Sequence, residues 1–84
     1  MNDFPLKIIG LKQTLFDGKA ISVNLPSSEG ELTILKDHLP LIVALKKGRI
    51  KVKDKDSQEH SFEIQKGFLE VNPEQTTILV HPLF

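Results

Sequence analysis

The stretch Arg49-Ile50-Lys51-Val52-Lys53 alternates strictly between basic and apolar side chains. A β-strand points successive side chains to opposite faces of its sheet, so this alternation predicts a strand with one buried and one solvated face. The polar turn Asp54-Lys55-Asp56-Ser57 follows, and a second alternating run, Ser61-Phe62-Glu63-Ile64-Gln65, comes after it. Two alternating runs joined by a short polar turn predict an antiparallel hairpin.

The same alternation recurs along most of the chain, and Leu41–Leu45 is apolar on both faces, which predicts a central strand. Turn-forming residues separate the runs at short intervals, a spacing typical of a small all-β sandwich or barrel. Pro40 interrupts the one window that could form a helix. We therefore expect a single all-β domain over residues 1–84. The apolar positions of the other runs are Leu6 and Ile8; Ile21, Val23 and Leu25; Leu69 and Val71; and Ile78 and Val80.

The composition limits the functions that are open to the chain. Its 11 basic and 11 acidic residues give no net charge, so no global basic field exists for a nucleic-acid backbone. The absence of cysteine excludes disulfides, zinc–thiolate sites and thiol nucleophiles. The longest apolar run is far shorter than the ~18 residues that a membrane span needs. A small binding module is a better expectation than an enzyme, because a cofactor cavity would consume most of so small a core.

Four motifs resemble those of a known family, the epsilon subunit of F-type ATP synthases. Residues 28–41, Ser-Glu-Gly-Glu-Leu-Thr-Ile-Leu-Lys-Asp-His-Leu-Pro-Leu, resemble its stretch (D/E)-G-E-L-G-I-L-P-G-H-A-P-L. Residues 15–18 resemble its x-F-(S/D)-G turn, residues 44–48 its (A/T)-L-K-x-G, and residues 67–71 its G-G-F-(L/V)-E-V. The departures, such as Thr33 for Gly and Lys66 for the first Gly of a pair, alter loops rather than core positions.

The resemblance implies a sandwich of two antiparallel sheets with about ten short strands. It also implies a non-catalytic subunit of the rotating central stalk, which binds the gamma subunit and the c-ring loops and helps to couple ion-driven rotation to ATP synthesis. No cofactor and no nucleic acid are expected. The chain would lie peripherally on the cytoplasmic face of the energy-coupling inner membrane, with membrane contact only through the complex. The family's inhibitory helical hairpin is not expected within these 84 residues.

The resemblance also implies site residues for the two partners. The residues implied to face the gamma subunit are Gly10, His38, Leu41 and Ile42. The residues implied to face the c-ring are Glu29, Gly30 and Glu31. From the sequence alone, a glycine at position 30 is expected to serve either a positive φ or a close approach of the backbone. Phe68 is out of phase with its strand, and an exposed Phe there would mark a partner surface.

The sequence raises three other functions: a generic binding module, an enzyme and a metal site. A generic sandwich or OB-like module could bind through a basic stripe, Arg49, Lys51 and Lys53 with Lys55, although no aromatic side chains are interleaved with it. The alternative for this stripe is a solvated strand face paired with Glu59 and Glu63 across the hairpin. An enzyme could use Asp37, His38 and Glu31, but no nucleophile accompanies them. The histidines His38, His60 and His81 lack the spacing of a metal-ligand motif, and no catalytic residue or metal site is predicted.

Overall fold

The computed structural model describes residues 2–82, which form seven strands. Each strand begins where the sequence leaves a turn and alternates in burial along most of its length. The described residues include no helix of the length and hydrophobicity that crossing a bilayer requires. The strands are β1 (Phe4–Ile9), β2 (Thr14–Ser27), β3 (Gly30–Ile34), β4 (Leu41–Leu45), β5 (Gly48–Asp54), β6 (Glu59–Val71) and β7 (Thr76–Pro82).

All seven strands belong to one hydrogen-bonded network, which two long strands fold into two layers. The first sheet contains β4, residues 66–71 of β6, β7, β1 and residues 14–20 of β2. The second sheet contains β3, residues 22–27 of β2, β5 and residues 59–64 of β6. Because β2 and β6 pass from one sheet to the other, they close two corners of the sandwich.

The prediction of an all-β sandwich is confirmed, but two details of it are wrong. Residues 2–82 form seven strands rather than about ten, because β2 and β6 each serve both sheets where separate short strands were expected. The sheets are also not purely antiparallel, since β1 pairs with β7 in the parallel direction. This parallel pair needs no local turn, because most of the chain separates the two strands.

β-Bulges mark the points at which the long strands change sheets. The register of β2 shifts between Ala20 and Ser22, and that of β6 shifts between Ile64 and Lys66. The prediction that Ile21 shares a face with Val23 is therefore wrong. Ala20 is fully buried and Ile21 is only half-buried, because the extra residue reverses the phase of the alternation.

The core lies between the two sheets and is almost entirely aliphatic. Both strands of the β5–β6 hairpin contribute side chains to the core, and Ile50, Val52 and Ile64 are buried as predicted. Six further apolar side chains pack against its margin. The buried apolar residues are Phe4, Leu6, Ile8, Ala20, Val23, Leu25, Ile34, Leu45, Ile50, Val52, Ile64, Leu69, Val71, Ile78 and Val80.

β4 is not the central, doubly buried strand that its sequence predicts. It pairs along its whole length with β6, but it meets β2 only at the Ser27–Leu45 pair. Leu45 is buried, whereas Ile42 on the opposite face is 74% exposed. The apolar run therefore serves two surfaces, the core and an outer face that is open to solvent.

Candidate interaction surface

An apolar row crosses the outer face of the first sheet. Phe68 of β6 lies opposite Ala44 of β4 on one side and opposite Leu79 of β7 on the other. Leu79 in turn pairs with Ile9 of β1. Residues paired in register point to the same face of a sheet, so these four side chains form one line across four strands. The line is roughly 14 Å long, three spacings of about 4.8 Å between strands.

This row, together with Ile42, forms what we call the outer apolar face. Phe68 is 58% exposed and Leu79 is 51% exposed. Ile42 is two residues before Ala44 on β4, so it points to the same side, and it is more exposed than Phe68 or Leu79. Single exposed apolar side chains are ordinary on a protein surface, but a contiguous group of them marks an interaction surface.

The implied gamma-facing residues do not form one cluster by themselves. Ile42 lies on the outer apolar face, whereas Leu41 points the other way and packs against the core. Gly10 follows the end of β1, immediately after Ile9 of the apolar row. His38 is in the loop before β4, at the opposite end of the first sheet. The outer apolar face is therefore what connects Ile42 with Gly10, and this connection depends on register that the sequence does not reveal.

His38 is a half-buried loop histidine bonded to backbone. Its Nδ1 donates to the carbonyl oxygen of Leu39 at 2.8 Å, and its backbone N–H donates to Leu35 at 3.3 Å. Asp37 next to it has a positive φ of 64°, which lets the chain turn tightly before β4. Asp37 and His38 line a cleft with the start of β1, while Glu31 is outside that cleft on β3. The arrangement does not bring together the three residues of the enzymatic alternative.

The implied c-ring-facing residues lie together at the turn between β2 and β3. Ser27 is buried there, and its hydroxyl donates to the carbonyl oxygen of Gly30 and accepts the N–H of Glu29 at 3.2 Å. Gly30 has a φ of 126°, so the positive φ, one of the two roles expected of this glycine, is confirmed. Glu29 and Glu31 are exposed and point away from the core. A shallow groove along β4 joins Glu29 to Ile42.

The basic stripe on β5 is partly neutralised by its neighbours. Arg49 donates from its guanidinium to a carboxylate oxygen of Glu63 at 2.7 Å, and both side chains are about half exposed. Lys53 lies opposite Glu59 in the same hairpin. The alternative of a solvated strand face paired with acids is thus confirmed for Arg49. Lys51, in contrast, lies opposite Ser61.

The three histidines lie apart. His60 is at the β5–β6 hairpin, where its Nε2 is 2.8 Å from a carboxylate oxygen of Asp54 and its ring meets that of Phe16 edge-on at 5.2 Å. His81 is on β7, with Nδ1 donating to the carbonyl oxygen of Pro82 at 3.1 Å. Within residues 2–82, no three His, Cys, Asp or Glu side chains are grouped closely enough to hold a metal ion.

Comparison with known families identifies the fold and the lineage. Residues 3–83 match the family model described as "ATP synthase, Delta/Epsilon chain, beta-sandwich domain". The chain belongs to this family. Its resemblance to the epsilon subunit, which rested on four motifs, is confirmed by matches over nearly the whole sequence.

Two curated relatives are ATP synthase epsilon chains. That of Dichelobacter nodosus (strain VCS1703A) and that of Chlorobium limicola are each 37% identical over 76 residues, or 90% of this chain. The matched region spans 53% of the Dichelobacter chain and 86% of the Chlorobium chain. This chain is therefore similar to about half of one relative and to most of the other.

Solved structures confirm the fold. A chain of the Euglena gracilis mitochondrial ATP synthase superposes with a TM-score of 0.86 over 93% of this chain and 50% of its own length, at 19% identity. A chain of the Tetrahymena thermophila mitochondrial ATP synthase, in a structure of the central stalk and c-ring, gives a TM-score of 0.80 over 96% of this chain and 65% of its own length, also at 19% identity.

Proposed function

We propose that this chain is the epsilon-type subunit of a rotary F-type ATP synthase. In this role it catalyses nothing. It joins the gamma subunit to the c-ring in the central stalk and helps to pass ion-driven rotation to the catalytic head. It lies peripherally on the cytoplasmic face of the energy-coupling membrane as a part of that complex. Membership of the family and the similarity to epsilon chains support this assignment.

The outer apolar face is the observation that carries the proposal. A neutral domain with a complete aliphatic core has no internal need for Phe68, Leu79 and Ile42 on its outside. Exposed apolar side chains lose contact with water when a partner covers them, and this transfer drives association. We propose that the gamma subunit covers this face, with Gly10 at one margin and His38 beyond the other.

The turn between β2 and β3 is proposed to meet the c-ring. Glu29 and Glu31 extend from a turn that Ser27 holds rigid through two hydrogen bonds. A rigid turn with exposed carboxylates is suited to basic groups on polar loops. The groove along β4 runs from this turn to Ile42 of the outer apolar face, so the two proposed partner surfaces adjoin.

Co-expression with the gamma subunit of the same source, followed by native mass spectrometry, tests the proposal. The expected result is a one-to-one complex that survives moderate salt, because an apolar interface is weakly screened. A folded gamma subunit that forms no complex with a folded epsilon chain would contradict the assignment. The chain would then share the fold of the epsilon family but not its role in the central stalk.

A further inference from the structure

The charges of this neutral chain are separated between the two ends of the first sheet. One end carries Lys46 and Lys47 in the β4–β5 turn, Lys66 in the bulge of β6 and Lys12 in the β1–β2 loop. All four side chains are exposed. The cleft at the opposite end is lined by Asp3, Asp37 and Glu74, together with Lys36. We call the first of these, defined by Lys12, Lys46, Lys47 and Lys66, the basic end.

Strand register places these lysines side by side at one end of the first sheet. Leu45 pairs with Gly67, so Lys46, the first residue after β4, emerges beside Lys66. Lys66 lies opposite His81 of β7, and His81 shares a groove with Lys12. The basic end therefore extends across the width of the sheet, next to the outer apolar face but beyond it.

Few acidic groups oppose this charge. Glu29 and Glu31 are at the same end, because Ser28 donates its backbone N–H to the carbonyl oxygen of Ala44 at 3.0 Å, and Lys46 donates its own to that of Pro26, the pairing partner of Glu31, at 2.9 Å. Glu63 lies near Lys47 but already accepts a hydrogen bond from the guanidinium of Arg49. The basic end thus carries an excess of positive charge even though the whole chain has none.

An apolar side chain projects from the same end. Leu11 is 70% exposed and directly precedes Lys12 in the β1–β2 loop. Such a pairing is found on surfaces that dock at a lipid interface, where the apolar group enters the headgroup layer and the amine stays among the phosphates.

We propose that the basic end docks directly on an anionic phospholipid bilayer. The lysines come from three separate segments, an arrangement suited to a broad planar layer of charge rather than to one small anion. Lysine ammonium groups act as point charges and do not require the paired geometry that arginine prefers. The inference goes beyond the proposed function, which needs membrane contact only through the complex.

Vesicle sedimentation of the 84-residue chain tests this proposal without gamma subunit or ring. At low salt, the chain is expected to sediment with vesicles of phosphatidylcholine containing phosphatidylglycerol, and to remain in solution with pure phosphatidylcholine. Each lysine near such a surface contributes about fivefold to binding. The K46Q/K47Q variant should therefore bind roughly 25-fold more weakly, and high salt should release the wild type.

A matched control separates the basic end from general positive charge. K51Q/K53Q removes two positive charges from the second sheet, where both lysines are also exposed. We expect it to bind the anionic vesicles within about twofold of the wild type, because these side chains face away from the docking edge. Absence of binding to anionic vesicles at low salt, or an equal loss in both variants, would overturn the proposal. Neither result depends on whether the gamma complex forms.

Discussion

Phe68 and Leu79 lie directly opposite each other across the β6–β7 pair, and more than half of each side chain is exposed to solvent. Their backbone neighbours Leu69 and Val80 are buried on the other side of the same sheet. The first sheet therefore carries an apolar row on its outer face in addition to the apolar face that contributes to the core. A partner that covers the outer apolar face explains this property, and the sandwich alone does not.

The 84-residue chain is expected not to inhibit ATP hydrolysis. Its described residues form a sandwich with extents of 34 × 23 × 19 Å and no helix that could extend into a catalytic head. A rotary complex assembled with this chain should hydrolyse ATP about as fast as one assembled without it. Strong inhibition that added ATP relieves would contradict this prediction.

Gly67→Ala is expected to destabilise the fold. Gly67 is buried beside the bulge of β6, and a Cβ there would collide with the backbone carbonyl oxygen of Leu79. Because backbone cannot rotate away, we expect a loss of about 1–3 kcal/mol in the free energy of unfolding. Gly18→Ala is the control, since its Cβ would make only an ordinary contact with the Phe16 ring at 3.7 Å. Equal urea midpoints for both variants would contradict the account.

The Arg49–Glu63 pair is expected to contribute little to stability despite its short distance. Both side chains are about half exposed, so water screens the attraction and the two flexible side chains lose entropy when they pair. A double-mutant cycle of Arg49→Gln and Glu63→Gln should give a coupling energy of about 0.2–1 kcal/mol. That coupling should fall further in high salt, and a value several times larger would show that the pair is a structural element.

Acid stability should depend on Asp54. Hydrogen bonding to His60, with help from the backbone N–H groups of Gln58 and Asp56, lowers the pKa of Asp54 from its ordinary value of 3.8. A carboxyl whose pKa is lower in the folded state stabilises the fold above its unfolded pKa. That contribution is lost as the pH falls below 3.8 and through the lower folded pKa.

Asp54→Asn should therefore flatten the acid side of the stability profile, measured by thermal melting over a pH series. Asp56→Asn is the matched control in the same exposed turn, because only its backbone N–H contacts the Asp54 carboxylate. If the Asp54→Asn variant loses stability below pH 3.8 as the wild type does, the assigned role of Asp54 is disproved.

Local alternation was sufficient to predict much of the fold. Ile50 and Val52 are buried and their basic neighbours exposed, as their sequence pattern predicts. The pattern misleads where a bulge changes its phase, because a single extra residue exchanges the two faces. Ile21 illustrates this effect, since the shift after Ala20 moves it out of the core.

The candidate surface was only partly predictable. Phe68 could be recognised as out of phase, and Ile42 entered through the family resemblance. Their alignment with Leu79 and Ile9 depends on pairing between strands that are distant in the sequence, including the parallel β1–β7 pair. Such register is set by the whole core and not by any local motif.

The affinity of the gamma subunit for the Phe68→Ser variant shows whether gamma covers the outer apolar face. We expect this exposed substitution to leave the melting temperature nearly unchanged but to weaken the gamma complex at least tenfold, a loss of about 1.4 kcal/mol. Lys51→Ser, an exposed change on the second sheet, should bind gamma like the wild type. Wild-type affinity in the Phe68 variant would show that the gamma subunit binds elsewhere and that the outer apolar face has another role.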